Sequence, residues 1–210
     1  MPDRLILAFD TAAAHCAAAL LCGEQVLSVR FEAMEKGQAE RLFGLLEAVL
    51  AEAGVGWRDL AGIGVGVGPG NFTGIRISVA AARGLAVSLG VPSVGVTAFE
   101  ALAFGAGPVL AVVDARRGMH YLCVSAEAPV LAEDLPEAWR GSGLDVVGAQ
   151  AARFAAATGG RALEPAFPVA VAVGLVAASR MATAQPRPVP LYLRSADAAP
   201  SSDPPPVILP

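Results

Sequence analysis

Gly66-Val67-Gly68-Pro69-Gly70-Asn71-Phe72-Thr73-Gly74-Ile75-Arg76 is the stretch on which the reading of this chain turns. The apolar run Leu60-Ala61-Gly62-Ile63-Gly64-Val65 leads into it with strand character, and an apolar helix pattern follows from Thr73 to about Leu89. Between them Gly68, Pro69 and Gly70 predict a tight turn that brings backbone close to something, and Thr73 is the expected N-cap of the helix. Strand, glycine turn and helix start are the parts of an anion cradle, because unpaired N–H groups at a helix start favour negative charge. The lysine of a phosphate loop is missing, however. The spacing G-x-G-x-x-G is also out of register, since Gly66-Val67-Gly68 is followed by Pro69-Gly70-Asn71. Spacing alone leaves two readings open: a structural turn built on Gly68, Pro69, Gly70, Thr73 and Gly74, or a phosphate loop.

Working outward, Leu5 to Asp10 is an apolar strand ending in Asp10-Thr11, and His15–Leu21 and Gln25–Phe31 form a hairpin across Cys22-Gly23-Glu24. An amphipathic helix is predicted from about Gly37 to Ala53, with Leu42, Leu46, Val49 and Ala53 in one stripe and Phe43 and Leu50 widening it. The helix after the glycine turn is different, carrying only two charges, Arg76 and Arg83. Such a helix is either surrounded by core or covered by a partner, and small residues at Ala80, Ala81 and Gly84 permit close packing either way. A partner is the preferred reading. Further strands are expected at Val109–Asp114 and Met119–Val124 and helices at Ala149–Ala157 and Val169–Ala182, with 127–141 irregular. The order points to an α/β chain, divided into residues 1–105, residues 106–197 and a proline-rich flexible tail from 198 to 210.

Composition narrows the function. The 210 residues are 55% hydrophobic with mean hydropathy +0.57, enough for a sizeable core. No run approaches the ~18 consecutive apolar residues of a membrane span, and nothing near Met1 reads as a signal peptide, so a cytoplasmic protein is expected. Fifteen basic against nineteen acidic residues give a net charge of -4, with no basic run beyond Arg116-Arg117, which argues against strong RNA binding by the chain alone. Cys16, Cys22 and Cys123 are expected to be reduced, buried and inert, and no set of residues completes a metal site.

Chemistry-bearing residues are few. Asp10 and Thr11 at a strand end could hold a magnesium-bound phosphate, or Asp10 could simply cap a turn. Asp114 also ends a strand, and in a pseudo-symmetric two-lobed fold the two carboxylates would face one cleft. His15 and His120 lie far apart without an obvious partner, and no G-x-S-x-G is present, so a hydrolytic triad is not supported.

Taken together, four stretches resemble the TsaB (YeaZ) family, accessory subunits for threonylcarbamoyladenosine formation in tRNA. They are Leu5–Thr11, Gly68-Pro69-Gly70-Asn71-Phe72-Thr73-Gly74-Ile75-Arg76 (close to GPGSFTGLR) with its helix and then Pro92 to Ala101, Asp114–Tyr121, and Pro190–Asp197. The resemblance implies an actin-like ATPase (ASKHA) fold of two ribonuclease-H-like lobes with a degenerate nucleotide site, of which Asp10 and Thr11 are the remaining candidates. It further implies no catalytic residue and no metal. The function it implies is that of a scaffold binding the catalytic subunit TsaD, and with it TsaE, for threonylcarbamoyl transfer to the adenosine next to the tRNA anticodon. No cofactor is expected on the chain alone, ATP being a candidate only within the TsaD–TsaE complex. Contact with tRNA would be indirect, and a homodimer is expected when TsaD is absent. The family's pairing surface, carried onto this sequence, falls on Leu42, Phe43, Leu45, Arg76, Ile77, Ala80, Ala81, Arg83, Gly84 and Val87. Asn71 and Ala12 stand where the family usually has serine, and Met119-His120 where Glu-Val is common. The first two weaken nucleotide binding. A small ATPase or kinase using Asp10 and the glycine turn is the alternative, and a protease is a third, weaker reading.

Overall fold

The computed structural model describes residues 4–125, 127–183 and 185–194. Residues 198–210, expected to be a flexible tail, and Ser195–Asp197 of the fourth motif lie outside them.

Two mixed five-stranded sheets carry the chain. In the first, β1 (Leu5–Asp10), β2 (His15–Cys22) and β3 (Gln25–Ala33) run as an antiparallel meander, and β4 (Leu60–Gly66) and β5 (Ser93–Val96) add in parallel. The order is β3-β2-β1-β4-β5. Side chains alternate across a strand. Leu7 and Phe9 therefore join Leu20, Ile63 and Val65 on one face, beneath α1 (Gln38–Glu52) and α2 (Phe72–Leu89). Ile6 and Ala8 join Ala19, Leu21, Val94 and Val96 on the other, against α5 (Val169–Arg180). In the second sheet β6 (Leu110–Asp114), β7 (His120–Val124), β8 (Val130–Ala132), β9 (Val146–Gly148) and β10 (Ala162–Leu163) stand in the order β10-β9-β6-β7-β8. Phe154 of α4 (Ala151–Thr158) packs on Leu110, Val112 and Leu122 of one face. The short α3 (Ala98–Ala103) joins the two halves, with Ala101 in the cluster of the first sheet and Phe99 in that of the second.

The helix that is apolar all round and buried all round is α5, where every residue from Ala170 to Ala177 is buried. It fits because glycines let it sit close: a Cβ at Gly64 would crowd Ala177, and one at Gly174 would run into Leu21. By contrast α2 buries only Gly74, Ile75, Ser78, Val79 and Ala82. Its 18 residues are long and apolar enough, by length and composition, to cross a membrane, yet Ile75, Val79 and Ala82 make it part of the packing on the first sheet.

Sequence reasoning passed over β5, α3, β8, β9 and β10, all of six residues or fewer. One had a readable signal. Thr97-Ala98-Phe99-Glu100 is a capping box: Thr97 Oγ1 accepts the Glu100 N–H at 3.2 Å, and Glu100 Oε2 accepts the Thr97 N–H at 2.8 Å. Glu100 also accepts a hydrogen bond from Arg180 at the end of α5. Burial pushes this carboxyl up, but the bonds from Arg180 and Thr97 outweigh it and hold it below the ordinary glutamate range. A carboxyl lowered in the folded state stabilises the fold above its unfolded pKa and loses that contribution as pH falls through the folded value. The stability gap between the parent chain and Glu100→Gln should therefore be full at neutral pH and shrink on acidification below the ordinary glutamate range, as denaturant melts at a series of pH values would show.

Candidate functional site

The glycine stretch is stapled to the end of β1. Gly68 has φ +85° and precedes a cis proline. A Cβ at Gly70 would overlap the Ala12 carbonyl, one at Gly74 the Thr11 carbonyl, and one at Gly66 the Asp10 carboxylate. What the glycines let approach is thus the chain's own strand end. Asn71 N–H donates to Ala12 O at 2.6 Å, and the fully buried Thr11 hydroxyl donates to Gly74 O at 2.6 Å. Asn71, not Thr73, is the N-cap of α2: its Oδ1 accepts the N–H groups of Thr73 at 3.0 Å and Gly74 at 3.4 Å. Asparagine and threonine both serve as caps, and the turn closes two residues earlier than the sequence reading placed it. Two of the donors an anion would use at that helix start, the N–H groups of Thr73 and Gly74, are already engaged.

One oxygen of Asp10 is also bonded within the chain. Its Oδ1 accepts the Ala12 N–H at 2.9 Å and the Nε2–H of His15 at 2.7 Å. The His15 ring in turn rests against Phe31, centroids 5.2 Å apart. His15 therefore has a partner that sequence reasoning did not supply. Asp10 pairs with Ala17, and His15 stands two positions from Ala17 on the same face of β2, which brings its ring to the carboxylate diagonally across the hairpin. His120 is buried edge-on to Phe154, with Nδ1 lacking a hydrogen-bond partner.

Asp10 and Asp114 do face one cleft, of about 850 Å³, between the two sheets. Its walls are largely apolar, with Ala12, Ala13, Ala14, Phe31, Leu102, Val112 and Phe167 among them. A second cavity of about 500 Å³ adjoins it, sharing Pro69, Gly70, Asn71, Ala115, Arg116 and Tyr121 and adding Phe72, Arg117, Tyr192 and Arg194. At this end Arg76 lies over the Phe72 ring at 3.7 Å and donates to the Tyr192 hydroxyl at 2.8 Å.

The helix faces separate cleanly. Leu42 and Leu45, carried over as pairing residues, are 1% and 0% exposed in the core beneath α1. They cannot meet a partner, because the stripe that makes α1 amphipathic is the one the sheet covers. Phe43, expected to widen that stripe, instead points outward and is 46% exposed. On α2, Arg76, Ala80, Arg83, Gly84 and Val87 are exposed, Val87 at 80%, while Ile77 and Ala81 are half-buried against the core. A Cβ at Gly84 would meet nothing within 4 Å. An exposed mid-helix glycine is unfavourable by about 1 kcal/mol relative to alanine, so open space around it asks for a reason, and a close-packed second helix is one.

Among the cysteines, burial and then the nearby Glu32 push the Cys16 thiol up to about 11, which leaves it almost wholly protonated at neutral pH. Cys123 is buried as well, whereas Cys22 is half-buried at the β2–β3 turn.

Two mixed five-stranded sheets joined through α3 define an α/β protein. A family model described as TsaD, tRNA N6-adenosine threonylcarbamoyltransferase, matches residues 32–164. An uncharacterized protein of Mycobacterium tuberculosis strain H37Rv is 36% identical over 207 residues, covering 93% of this chain and 94% of that one. The tRNA threonylcarbamoyladenosine biosynthesis protein TsaB of Escherichia coli K12 is 34% identical over 122 residues, 55% of this chain. That match spans 52% of the relative, so the chain covers about half the length of the curated TsaB protein. Among solved structures, YeaZ from Pseudomonas aeruginosa superposes with a TM-score of 0.68 at 22% identity, covering 90% of this chain and all of that one. The chain belongs to the TsaB (YeaZ) family.

Proposed function

We propose that this chain is a non-catalytic subunit in the threonylcarbamoylation of tRNA, working in the cytoplasm as a scaffold that pairs with a TsaD-type transferase and through it with TsaE. The observation that carries the reading is the outer face of α2, where Ala80, Arg83, Gly84 and Val87 lie exposed on a helix with only two charges. Small side chains in that row allow a second helix to approach closely, and the exposed Phe43 of α1 adds an aromatic anchor. The interface is accordingly Phe43, Arg76, Ala80, Arg83, Gly84 and Val87, with Ile77 and Ala81 at its edge. Contact with tRNA is left to the partner, in keeping with a net charge of -4.

Support for a scaffold over an ATPase comes from the same region. One oxygen of the Asp10 carboxylate is held by Ala12 and His15, and Asn71 takes two of the N–H groups at the start of α2, so both are partly occupied within the chain itself. The experiment is light scattering on a sizing column with the full chain alone and mixed with TsaD from the same organism. A one-to-one complex replacing the free species is expected. Unchanged peaks, together with magnesium-dependent heat on titrating ATP that disappears in Asp10→Ala, would transfer the assignment to the ATPase reading.

A further inference from the structure

The edge of the first sheet carries an apolar row that is only partly covered. Among the described residues β3 is the outermost strand and is bonded only to β2, so one side of its backbone has no strand partner there. Such an edge is a template for a further strand unless it is short, bulged or guarded by charge. β3 runs for nine residues. Its register shift lies opposite Leu20 and Leu21, at the Gln25 end, and Ser28–Ala33 pairs regularly. On the α1 side of this segment stand Ser28, Arg30 and Glu32, bonded to Glu52 and Arg41. On the opposite side, which α5 only partly covers, Val29 and Phe31 are 43% and 58% exposed.

We propose that β3 pairs antiparallel with β3 of a second copy of this chain, about a two-fold axis at Phe31, joining the two first sheets into one continuous sheet with five strands from each copy. The sequence of the strand selects that register. An axis at Arg30 sets Arg30 against its own copy, and an axis at Glu32 does the same with glutamate. Both oppose like charges, which is unfavourable in directly facing pairs. An axis at Phe31 sets Phe31 against Phe31, Val29 against Ala33, and Arg30 against Glu32 twice by symmetry. Opposite charges then face each other on the α1 side and apolar groups on the other. An axis at Val29 leaves Arg30 facing serine and extends into the bulged end, so it lacks the charge pairing. This surface is separate from the outer face of α2, and a chain could use both.

The test is sedimentation equilibrium of the full chain carrying Gly84→Arg, which closes the α2 face to self-association and leaves β3 as it is. Arg30→Glu and Glu32→Arg are then added, each in its own chain. The Gly84→Arg chain should dimerise. Each added substitution should raise the dimer dissociation constant by about tenfold, since it sets two like-charged pairs across the axis. Mixing the two variant chains in equal amounts brings glutamate rows against arginine rows and should restore association to within about threefold of the parent. That recovery also shows that both variants are folded. A parent chain that stays monomeric at its highest soluble concentration, single variants that dimerise as the parent does, or a mixture that fails to recover would each overturn the proposal.

Discussion

Gly84→Arg should abolish the complex with TsaD while leaving this chain as stable as before, or more so. The two halves of that expectation rest on different facts. Within the chain, a side chain at Gly84 enters open space. Replacing an exposed mid-helix glycine by a good helix former adds roughly 0.5–1 kcal/mol to stability. In the complex, the same side chain would be driven into a close helix–helix contact with its charge unpaired, at a cost on the order of 3–5 kcal/mol. A loss of that size is more than a hundredfold in affinity, about tenfold per 1.4 kcal/mol. Thermal melting of the variant alone and calorimetry against TsaD separate the two effects. Wild-type affinity in the variant would remove α2 from the interface, whatever the other residues do.

Gly74→Ala should have the opposite profile, damaging the fold first. A Cβ there overlaps the Thr11 carbonyl oxygen, and both partners are backbone that cannot rotate away. The Thr11 hydroxyl, which donates to Gly74 O, would be displaced with it. Overpacking of this kind costs about 3 kcal/mol, a fall in Tm of roughly 6–12 °C for a chain of this size. Gly84→Ala, the same chemical change in open space, is the control and should melt no lower than the parent. If Gly74→Ala melts with the parent, the turn is not bound to β1 as tightly as its hydrogen bonds indicate.

These two glycines show where reading the sequence succeeds and where it stops. A glycine turn between a strand and a helix was legible, as were the long elements β1, β2, β6, β7, α1, α2 and α5, because each is a sustained run with its own period. The strands β5, β8, β9 and β10 hold two to four residues each. Too short to show a period, they exist because a neighbouring strand offers them hydrogen bonds. The glycine turn could be read as an anion cradle because spacing says which N–H groups are at the helix start, not whether they are taken. That Asn71 takes them follows only from the cap lying two residues before Thr73. Leu42 and Leu45 teach a different lesson. Leu42 already stood on the apolar stripe of α1, and Leu45, one helical turn further on, shares that side, so local physics outweighs a pairing surface carried over from a resemblance. His15 was missed because its partner is set by hairpin register, a relation between strands that residue counts along one strand do not contain.

The position of α5 has a consequence for how the molecule comes to be made. Ile6, Ala8, Ala17, Ala19 and Leu21 begin the chain's first sheet, yet the helix that shields them is Val169–Arg180. During synthesis those side chains leave the ribosome long before their cover exists, since elongation runs at roughly 5–20 residues per second. For most of that time the first sheet has α1 and α2 on one side and water, or a chaperone, on the other. A fragment ending before residue 169 should therefore be sticky even though it holds every strand of both sheets. β1 and α5 are parts of one unit, and the last helix among the described residues is the one that completes the first layer laid down.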